Sequence, residues 1–225
     1  AYFNWQAPAP AYVVLLGDGH YNPKGFNPAF YGPWRESFIP PFLAFADPGL
    51  GETAADNRYA AVSGADNLPD MMLGRMAVTT AAQAEAFVNK IIVYESLPPN
   101  NDWGTPLLAV ADNPDSGGNF PAISQAVIYS SYPDNFAVER VYLGTTHANV
   151  TAAREAILAA IDDGRFLVNY IGHAAQTQWS GWDDDVPAFR GALLKYSDVA
   201  GLNNENKYPI ISAMTCWEGY YINPN

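Results

Sequence analysis

Short apolar runs that end in small or polar residues recur along this sequence, and segments with helical periodicity lie between them. Parallel strands need a long crossover connection, commonly a helix, so this alternation is typical of an α/β fold with a mostly parallel sheet flanked by helices. The predicted strands cover 12–16, 59–62, 71–74, 106–111, 136–143, 165–171 and 208–214, and the predicted helices cover 81–95, 121–131, 149–160 and 198–202.

Two stretches break the alternation. Residues 21–48 are rich in Pro, Gly, Phe and Trp and are predicted to be irregular. Two consecutive prolines within 96–101 end the helix before them and indicate a boundary between two subdomains, 1–98 and 99–225. The sequence starts and stops without a closing element, so we expect a piece of a longer protein that is truncated at its C-terminus.

Composition excludes several classes of function. The chain has 23 acidic and 11 basic residues, a net charge of −12, which argues against a nucleic-acid partner because phosphate groups require clustered Lys and Arg. A single cysteine excludes an intrachain disulfide and a zinc site built from cysteines. No apolar run approaches the roughly 20 residues of a transmembrane helix, so we expect no transmembrane segment in this piece.

Three chemically capable residues follow predicted strands directly or within two positions: Asp112, His173 and Cys216, the only cysteine. The carboxyl ends of parallel strands share one edge of the sheet, where ligands and catalytic groups gather. An imidazole can activate a thiol and later protonate a leaving amine, and a carboxylate can orient the imidazole. On this pattern alone, a lone cysteine that is buried and inert is the competing interpretation.

Five segments carry a family resemblance. They are YVVLLGD at 12–18, SGADNLPD at 63–70 with the Gly-Arg pair at 74–75, KIIVYE at 90–95, NYIGH at 169–173 and IISAMTCWEGY at 210–220. In this order they resemble the gingipain-like cysteine peptidases, peptidase family C25 of the caspase-like clan, over nearly the whole chain. The resemblance implies a caspase- or gingipain-like fold of two subdomains.

The resemblance also implies roles for individual residues. Cys216 is the expected nucleophile, His173 the general base and acid, and Asp112 the acidic third member, with Asp115 as its near competitor. The backbone N–H groups of Cys216 and Ala174 are the expected oxyanion hole. The family usually has glycine after the histidine, where this chain has Ala174. The acidic residue that gives gingipains their preference for basic side chains has no counterpart between 115 and 132.

Trp179, Trp182 and Trp217 lie near the expected catalytic pair in sequence. Trp179 and Trp217 are candidates for contact with the substrate, since aromatic side chains supply contact area at cleft mouths. Ordinary packing under a loop is the equal alternative for all three.

Other motifs are weaker. The acidic run 183–185 could favour a basic partner or a cation, although such runs are more often solvated loops. Structural Ca²⁺ occurs in the resembled family, but no ligands are assigned, and catalysis is expected to need no cofactor. Gly17-Asp18-Gly19 begins like a dinucleotide-binding loop, yet Asn22 stands where the third glycine belongs, so we reject that function.

We therefore expect a secreted or cell-surface cysteine endopeptidase that cleaves protein or peptide substrates through an acyl-enzyme. A sortase-like transpeptidase of the same fold is one alternative. A non-catalytic, gingipain-like surface binding or adhesion module is another, favoured by alanine at 174 and disfavoured by the presence of both Cys216 and His173.

Overall fold

The structure is a computed structural model that describes residues 4–49, 51–96, 102–181, 186–204 and 206–222. The chain forms two compact units. One comprises Ala1–Asn89 and Gly219–Asn225, and the other comprises Lys90–Glu218. The boundary predicted between residues 98 and 99 lies outside the described residues.

The first unit contains two pairs of strands. β1 pairs with β4 in parallel, from Tyr12 opposite Met72 to Leu16 opposite Met76, and β2 pairs with β3 antiparallel. The elements are β1 (Tyr12–Leu16), helix α1 (Pro28–Tyr31), β2 (Leu43–Asp47), β3 (Gly51–Ala54), a 3-10 helix (Asp56–Tyr59), β4 (Met72–Met76) and the first part of helix α2 (Ala81–Ser96).

Two predictions for this unit are wrong. The predicted strand at 59–62 is instead the end of a 3-10 helix and a turn, because the N–H groups of Ala60 and Ala61 both donate to the carbonyl oxygen of Asn57 at 3.0 Å. The region 21–48 is also more regular than predicted, since it contains α1 and β2. Strands β1 and β4 and helix α2 agree with the sequence-based expectation to within two residues at each end.

Arg75, on β4, links several segments of this unit through side-chain hydrogen bonds. Its side chain is 6% exposed and donates to both carboxylate oxygens of Asp56, at 2.6 and 2.8 Å. It also donates to the carbonyl oxygens of Gly17 and Ile39. Burial would raise the pKa of Asp56, but the hydrogen bonds from Arg75 and from the Tyr221 hydroxyl outweigh it and lower that pKa.

The second unit contains a four-stranded, wholly parallel sheet in the order β11-β7-β5-β6 and a small antiparallel sheet in the order β10-β9-β8. Its elements are β5 (Pro106–Ala111), α3 (Phe120–Ser131), β6 (Ala137–Tyr142), α4 (Val150–Asp163), β7 (Leu167–Ile171), β8 (Ala174–Ala175), β9 (Gln178–Trp179), β10 (Leu194–Lys195) and β11 (Ile210–Met214), with 3-10 helices at Asp102–Gly104, Pro187–Phe189 and Tyr196–Gly201.

Helices cover both faces of the parallel sheet. Alternate residues of β5 point to opposite faces: Leu108 belongs to the apolar cluster with Ile157 of α4, and Leu107 belongs to the cluster with Ile128 of α3. Burial on both faces explains why β5 is apolar throughout. The predicted α/β architecture with a parallel sheet flanked by helices is therefore confirmed.

Local chemistry sets the ends of the helices. The Asn149 side chain accepts from the N–H of Ala152 and caps α4, as its position in the sequence indicates. Gly164, with φ of 99°, follows the last residue of α4 in a conformation that suits glycine. Among the residues described, none of the helices combines the length and the apolar character needed to cross a membrane.

Candidate active site

His173 and Cys216 occupy equivalent positions at the carboxyl edge of the parallel sheet. Ile171 ends β7 and Met214 ends β11, and these two residues are register partners. His173 and Cys216 each follow two residues later, and the Gly172 N–H lies 3.5 Å from the Met214 carbonyl oxygen. Neighbouring strands are about 4.8 Å apart, so the two segments that carry these residues leave the sheet next to each other. The Cys216 side chain is exposed.

Asp112 follows β5 at the same edge, and its carboxylate is almost completely buried at 2% exposure. One carboxylate oxygen accepts from the backbone N–H of His173 at 3.2 Å. The other accepts from the Ser180 hydroxyl at 2.7 Å and from the Asn113 N–H at 3.0 Å. Burial raises the pKa of Asp112, and these three hydrogen bonds oppose the shift. The Asp112 carboxylate thus holds the backbone of His173.

The carboxylate that reaches the imidazole ring belongs to Asp115. Its Oδ2 lies 2.9 Å from His173 Nε2, and both side chains are mostly buried. Because a carboxylate is an acceptor, Nε2 of the neutral ring carries the proton and Nδ1 holds the lone pair. This arrangement orients the ring and defines its tautomer.

The surroundings of the ring restrict it further. The Gly117 N–H donates to Asp115 Oδ1 at 2.6 Å, and a Cβ at this glycine would stand 3.0 Å from His173 Cε1. On another side, the Phe120 ring meets the imidazole edge to face, with centroids 5.1 Å apart. The imidazole is therefore confined by a loop in which a side chain at 117 would press against the ring.

Two residues that the sequence analysis did not single out fix the backbone around His173. The Tyr170 hydroxyl donates to the His173 carbonyl oxygen at 2.5 Å, and the Ser180 N–H donates to the same oxygen at 2.7 Å. Burial raises the pKa of Tyr170, so its hydroxyl stays protonated as a donor. A tyrosine inside an apolar central strand is a sequence signal for a structural hydrogen bond, because a buried hydroxyl needs a partner.

Position 172 requires glycine, because Asp112 and Tyr170 pack closely against it. A Cβ at this position would stand 2.5 Å from the Asp112 Cβ and 2.6 Å from the Tyr170 hydroxyl oxygen. Real Cβ atoms do not approach other atoms so closely. The glycine before His173 thus allows Asp112 and Tyr170 to converge on the histidine backbone.

The tryptophans differ in their surroundings. Trp179 is 6% exposed, stacks on Tyr170 at 4.5 Å between centroids, and donates from its indole nitrogen to Glu218 at 2.5 Å. It packs in the core below the histidine loop. Trp217 is half-buried, beside Cys216, with φ of 64°. Trp182 and the acidic run 183–185 lie outside the described residues.

Ala174 begins β8 in an extended conformation, which alanine adopts as readily as other residues. The hydrogen bond from the Ser180 N–H to the His173 carbonyl makes that pair a hydrogen-bonded one, so the next pair, Ala174 with Trp179, is not. The N–H of Ala174 consequently points away from β9. In the ranges described, no group of three His, Cys, Asp or Glu side chains could hold a metal ion.

Fold and site together define an α/β protein whose parallel sheet presents a cysteine and a carboxylate-bound histidine at one edge. The chain belongs to peptidase family C25, whose family model matches residues 1–225. No curated protein matches the sequence at significant similarity.

Solved structures agree on the fold. The chain is similar to the Arg-specific cysteine proteinase gingipain R, with 20% identity and a TM-score of 0.67. It is also similar to a complex of the pro- and mature domains of Porphyromonas gingivalis RgpB, with 19% identity and a TM-score of 0.68. Each match covers 98% of this chain and 44% of the other chain. A third structure, described as a protease, has 18% identity and a TM-score of 0.60, and the match covers 95% of this chain and 40% of that one.

Proposed function

We propose that this chain carries the catalytic residues of a cysteine endopeptidase, with Cys216 as nucleophile and His173 as general base and acid. The observation that carries the proposal is the placement of both residues two positions beyond the register partners Ile171 and Met214. Family membership supports the same reaction class.

The reaction follows from the tautomer of the histidine. Nδ1 of His173 takes the proton from the Cys216 thiol, and the thiolate sulfur attacks the carbonyl carbon of the scissile peptide bond. The bond to nitrogen breaks, the imidazolium returns its proton to the departing amine, and an acyl-enzyme remains. Water then adds to the thioester, loses a proton to His173 and releases the carboxylic acid together with the regenerated thiol.

The third member of the site is Asp115 in this proposal. The family resemblance implies Asp112 first, with Asp115 as its near competitor, and the hydrogen bond to His173 Nε2 favours Asp115. Asp112 acts through the backbone of His173 and through Ser180. It is therefore a positioning residue.

The oxyanion of the tetrahedral intermediate is held by the backbone N–H groups of Cys216 and Ala174. The ladder geometry of β8 and β9 supports this role, since it directs the Ala174 N–H away from the neighbouring strand. Loss of one such donor typically costs roughly 10²–10³ in kcat. Trp217, adjacent to the nucleophile, is the proposed aromatic contact for the substrate.

The substrates are proteins or peptides, and the protein acts outside the cell or at its surface. The low charge content and the net charge of −12 suit such an environment. The Arg specificity belongs to gingipain R. No acidic counterpart between Asp115 and Tyr132 supports its transfer to this chain.

The test is labelling of Cys216 in the full-length protein with a peptidyl electrophile. We expect labelling to be much faster than for free cysteine, to vanish in Cys216→Ser and to slow strongly in His173→Ala. Labelling no faster than free cysteine, with no effect of His173→Ala, would overturn the proposal. A labelled amine acceptor added with a cleavable peptide separates hydrolysis from transpeptidation, because only the latter yields ligated product.

A further inference from the structure

The segment that carries Cys216 leaves the parallel sheet at an edge strand. In the order β11-β7-β5-β6, β11 comes first, so β7 is its only partner among the strands that the structure describes. Their pairing is already loose where β11 ends. The Gly172 N–H lies 3.5 Å from the Met214 carbonyl oxygen, beyond the roughly 2.7–3.2 Å of an ordinary hydrogen bond. The ladder of β7 and β11 therefore does not by itself fix Cys216, which lies two residues further on.

The backbone just beyond Cys216 bends in a way that neighbouring contacts must hold. Trp217 has a φ of 64°, in the left-handed region that residues other than glycine rarely adopt. Such a conformation persists only where the surrounding structure holds it. Glu218, the next residue, supplies one contact that does so.

The Glu218 carboxylate accepts a hydrogen bond from the indole nitrogen of Trp179 at 2.5 Å, across 39 positions of sequence. A charged acceptor makes this bond stronger than one between two neutral groups. An indole has a single donor, and a buried indole needs an acceptor for it. Both residues belong to the second unit. The bond therefore joins the nucleophile segment to the small antiparallel sheet.

Trp179 is a rigid support for this contact. It is 6% exposed, and its ring stacks on Tyr170 with centroids 4.5 Å apart and an angle of 7° between the planes. Its backbone is paired with Ala174 of β8. The next residue, Ser180, donates its N–H to the His173 carbonyl oxygen at 2.7 Å. The indole is therefore anchored in the segment that also holds the histidine backbone.

We propose that Glu218 is a positioning residue for the nucleophile, and that its hydrogen bond to Trp179 holds Cys216 beside His173. The inference rests on the proposed peptidase function and adds a second link, besides strand pairing, between the segments that carry the two reacting groups. The role belongs to the acceptor oxygen and not to the charge, because a neutral amide oxygen can also accept from an indole.

Labelling of Cys216 in the full-length protein with a peptidyl electrophile separates positioning from binding, because its concentration dependence gives a maximal rate and a half-saturating concentration. A displacement of about 1 Å near the reacting atoms can cost about 10²-fold in rate. For Glu218→Ala we expect the maximal rate to fall roughly tenfold to 10²-fold, with little change in the half-saturating concentration. Glu218→Gln keeps an acceptor oxygen and should stay within about threefold of the wild type.

Trp179→Phe removes the donor of the same bond and keeps an aromatic ring against Tyr170. Its effect on the maximal rate should resemble that of Glu218→Ala, and the double variant Trp179→Phe/Glu218→Ala should be no slower than the slower single variant. Glu218 is exposed whereas Trp179 is buried, so the variants at 218 test the bond even where the buried substitution prevents folding.

Two controls are matched to these changes and should label at the wild-type rate. Trp34→Phe removes an exposed indole that donates to the Pro23 carbonyl oxygen, and Glu85→Ala removes an exposed carboxylate of α2.

A wild-type maximal rate in Glu218→Ala would overturn the proposal, as would equal losses in Glu218→Ala and Glu218→Gln. A change confined to the half-saturating concentration would also overturn it, because it would indicate direct contact with the substrate. Slow labelling of the wild type would overturn the peptidase function and this inference with it. Fast, His173-dependent labelling of the wild type together with an unaffected Glu218→Ala would overturn this inference alone.

Discussion

His173 and Cys216 are 43 positions apart in the sequence, but each follows by two residues one member of the paired residues Ile171 and Met214 at the carboxyl edge of the sheet. Parallel pairing of β7 and β11 produces this equivalence, because both strands run in the same direction and end together. Two acidic residues then hold His173 through different contacts. Asp115 contacts the ring, and Asp112 contacts the backbone.

Replacement of Asp115 tests its contact with the ring. Asn in place of Asp115 offers an amide donor to Nε2, which would move the ring proton to Nδ1 and remove the lone pair that accepts the thiol proton. We expect kcat to fall by roughly 10²–10⁴, as when a histidine is held in the wrong tautomer, with a smaller change in KM. Steady-state kinetics of the full-length protein measure this. Asp134→Asn, at an exposed position, is the matched control and should leave kcat unchanged. Normal turnover by Asp115→Asn would refute the role of this carboxylate.

Asp112→Asn should affect both stability and turnover. The carboxylate accepts from the His173 N–H on one oxygen and from Ser180 on the other, whereas an amide has only one oxygen. One buried donor is then left facing an NH₂ group, so we expect the free energy of unfolding to fall by about 1–3 kcal/mol. Urea denaturation measures the loss. A drop in kcat without a shift of its pH profile would agree with a positioning role, and a shifted profile would point to direct contact with the ring.

Gly172→Ala should be strongly disruptive, because its Cβ would stand 2.5 Å from the Asp112 Cβ. Overpacking of this kind costs about 1–3 kcal/mol, and here the displaced atoms hold the histidine. The matched control is Gly201→Ala, where a Cβ would meet nothing within 4 Å. Thermal unfolding and peptidase assays on both variants separate the effects. Similar behaviour of the two alanine variants would contradict the packing described at 172.

Arg75→Lys should destabilise the first unit. A lysine cannot reproduce the two-pronged contact with Asp56 and the bonds to Gly17 and Ile39. Disruption of a buried pair costs about 3 kcal/mol, which urea denaturation near neutral pH would detect. Arg58→Lys, at an exposed arginine above the Phe42 ring, should change stability far less.

The same pair predicts a pH dependence. Because the pKa of Asp56 is lowered in the folded protein, its contribution to stability is present above the ordinary aspartate pKa of about 3.9 and is lost as the pH falls through the lowered value. Between pH 7 and pH 3, the difference in the free energy of unfolding between the wild type and Arg75→Lys should therefore stay constant down to about pH 4 and narrow below it. A constant difference across that range would contradict the ionic character of the contact.

The sequence by itself determined that helices flank a mostly parallel sheet and that the candidate catalytic residues lie at the carboxyl edge of this sheet. The apolar run 106–111 forms β5 at the predicted residues, and Asn149 caps α4. Both follow from short-range chemistry, since strand burial and helix capping depend on neighbours a few positions away. The same local pattern places Asp112, His173 and Cys216 just beyond the ends of three strands, and the parallel direction of these strands brings their ends to one edge of the sheet.

Only the tertiary structure decided which carboxylate reaches the ring and which tryptophan is buried. Asp112 bonds to Ser180, 68 positions away, while the turn at Asp115 and Gly118 aims the second carboxylate at the imidazole. Trp179, on β9 of the small sheet, is buried because it stacks on Tyr170 of β7 in the parallel sheet. The local sequence pattern specifies only which residue follows the end of a strand. The direction in which the side chain of that residue points depends on groups that folding brings from distant segments.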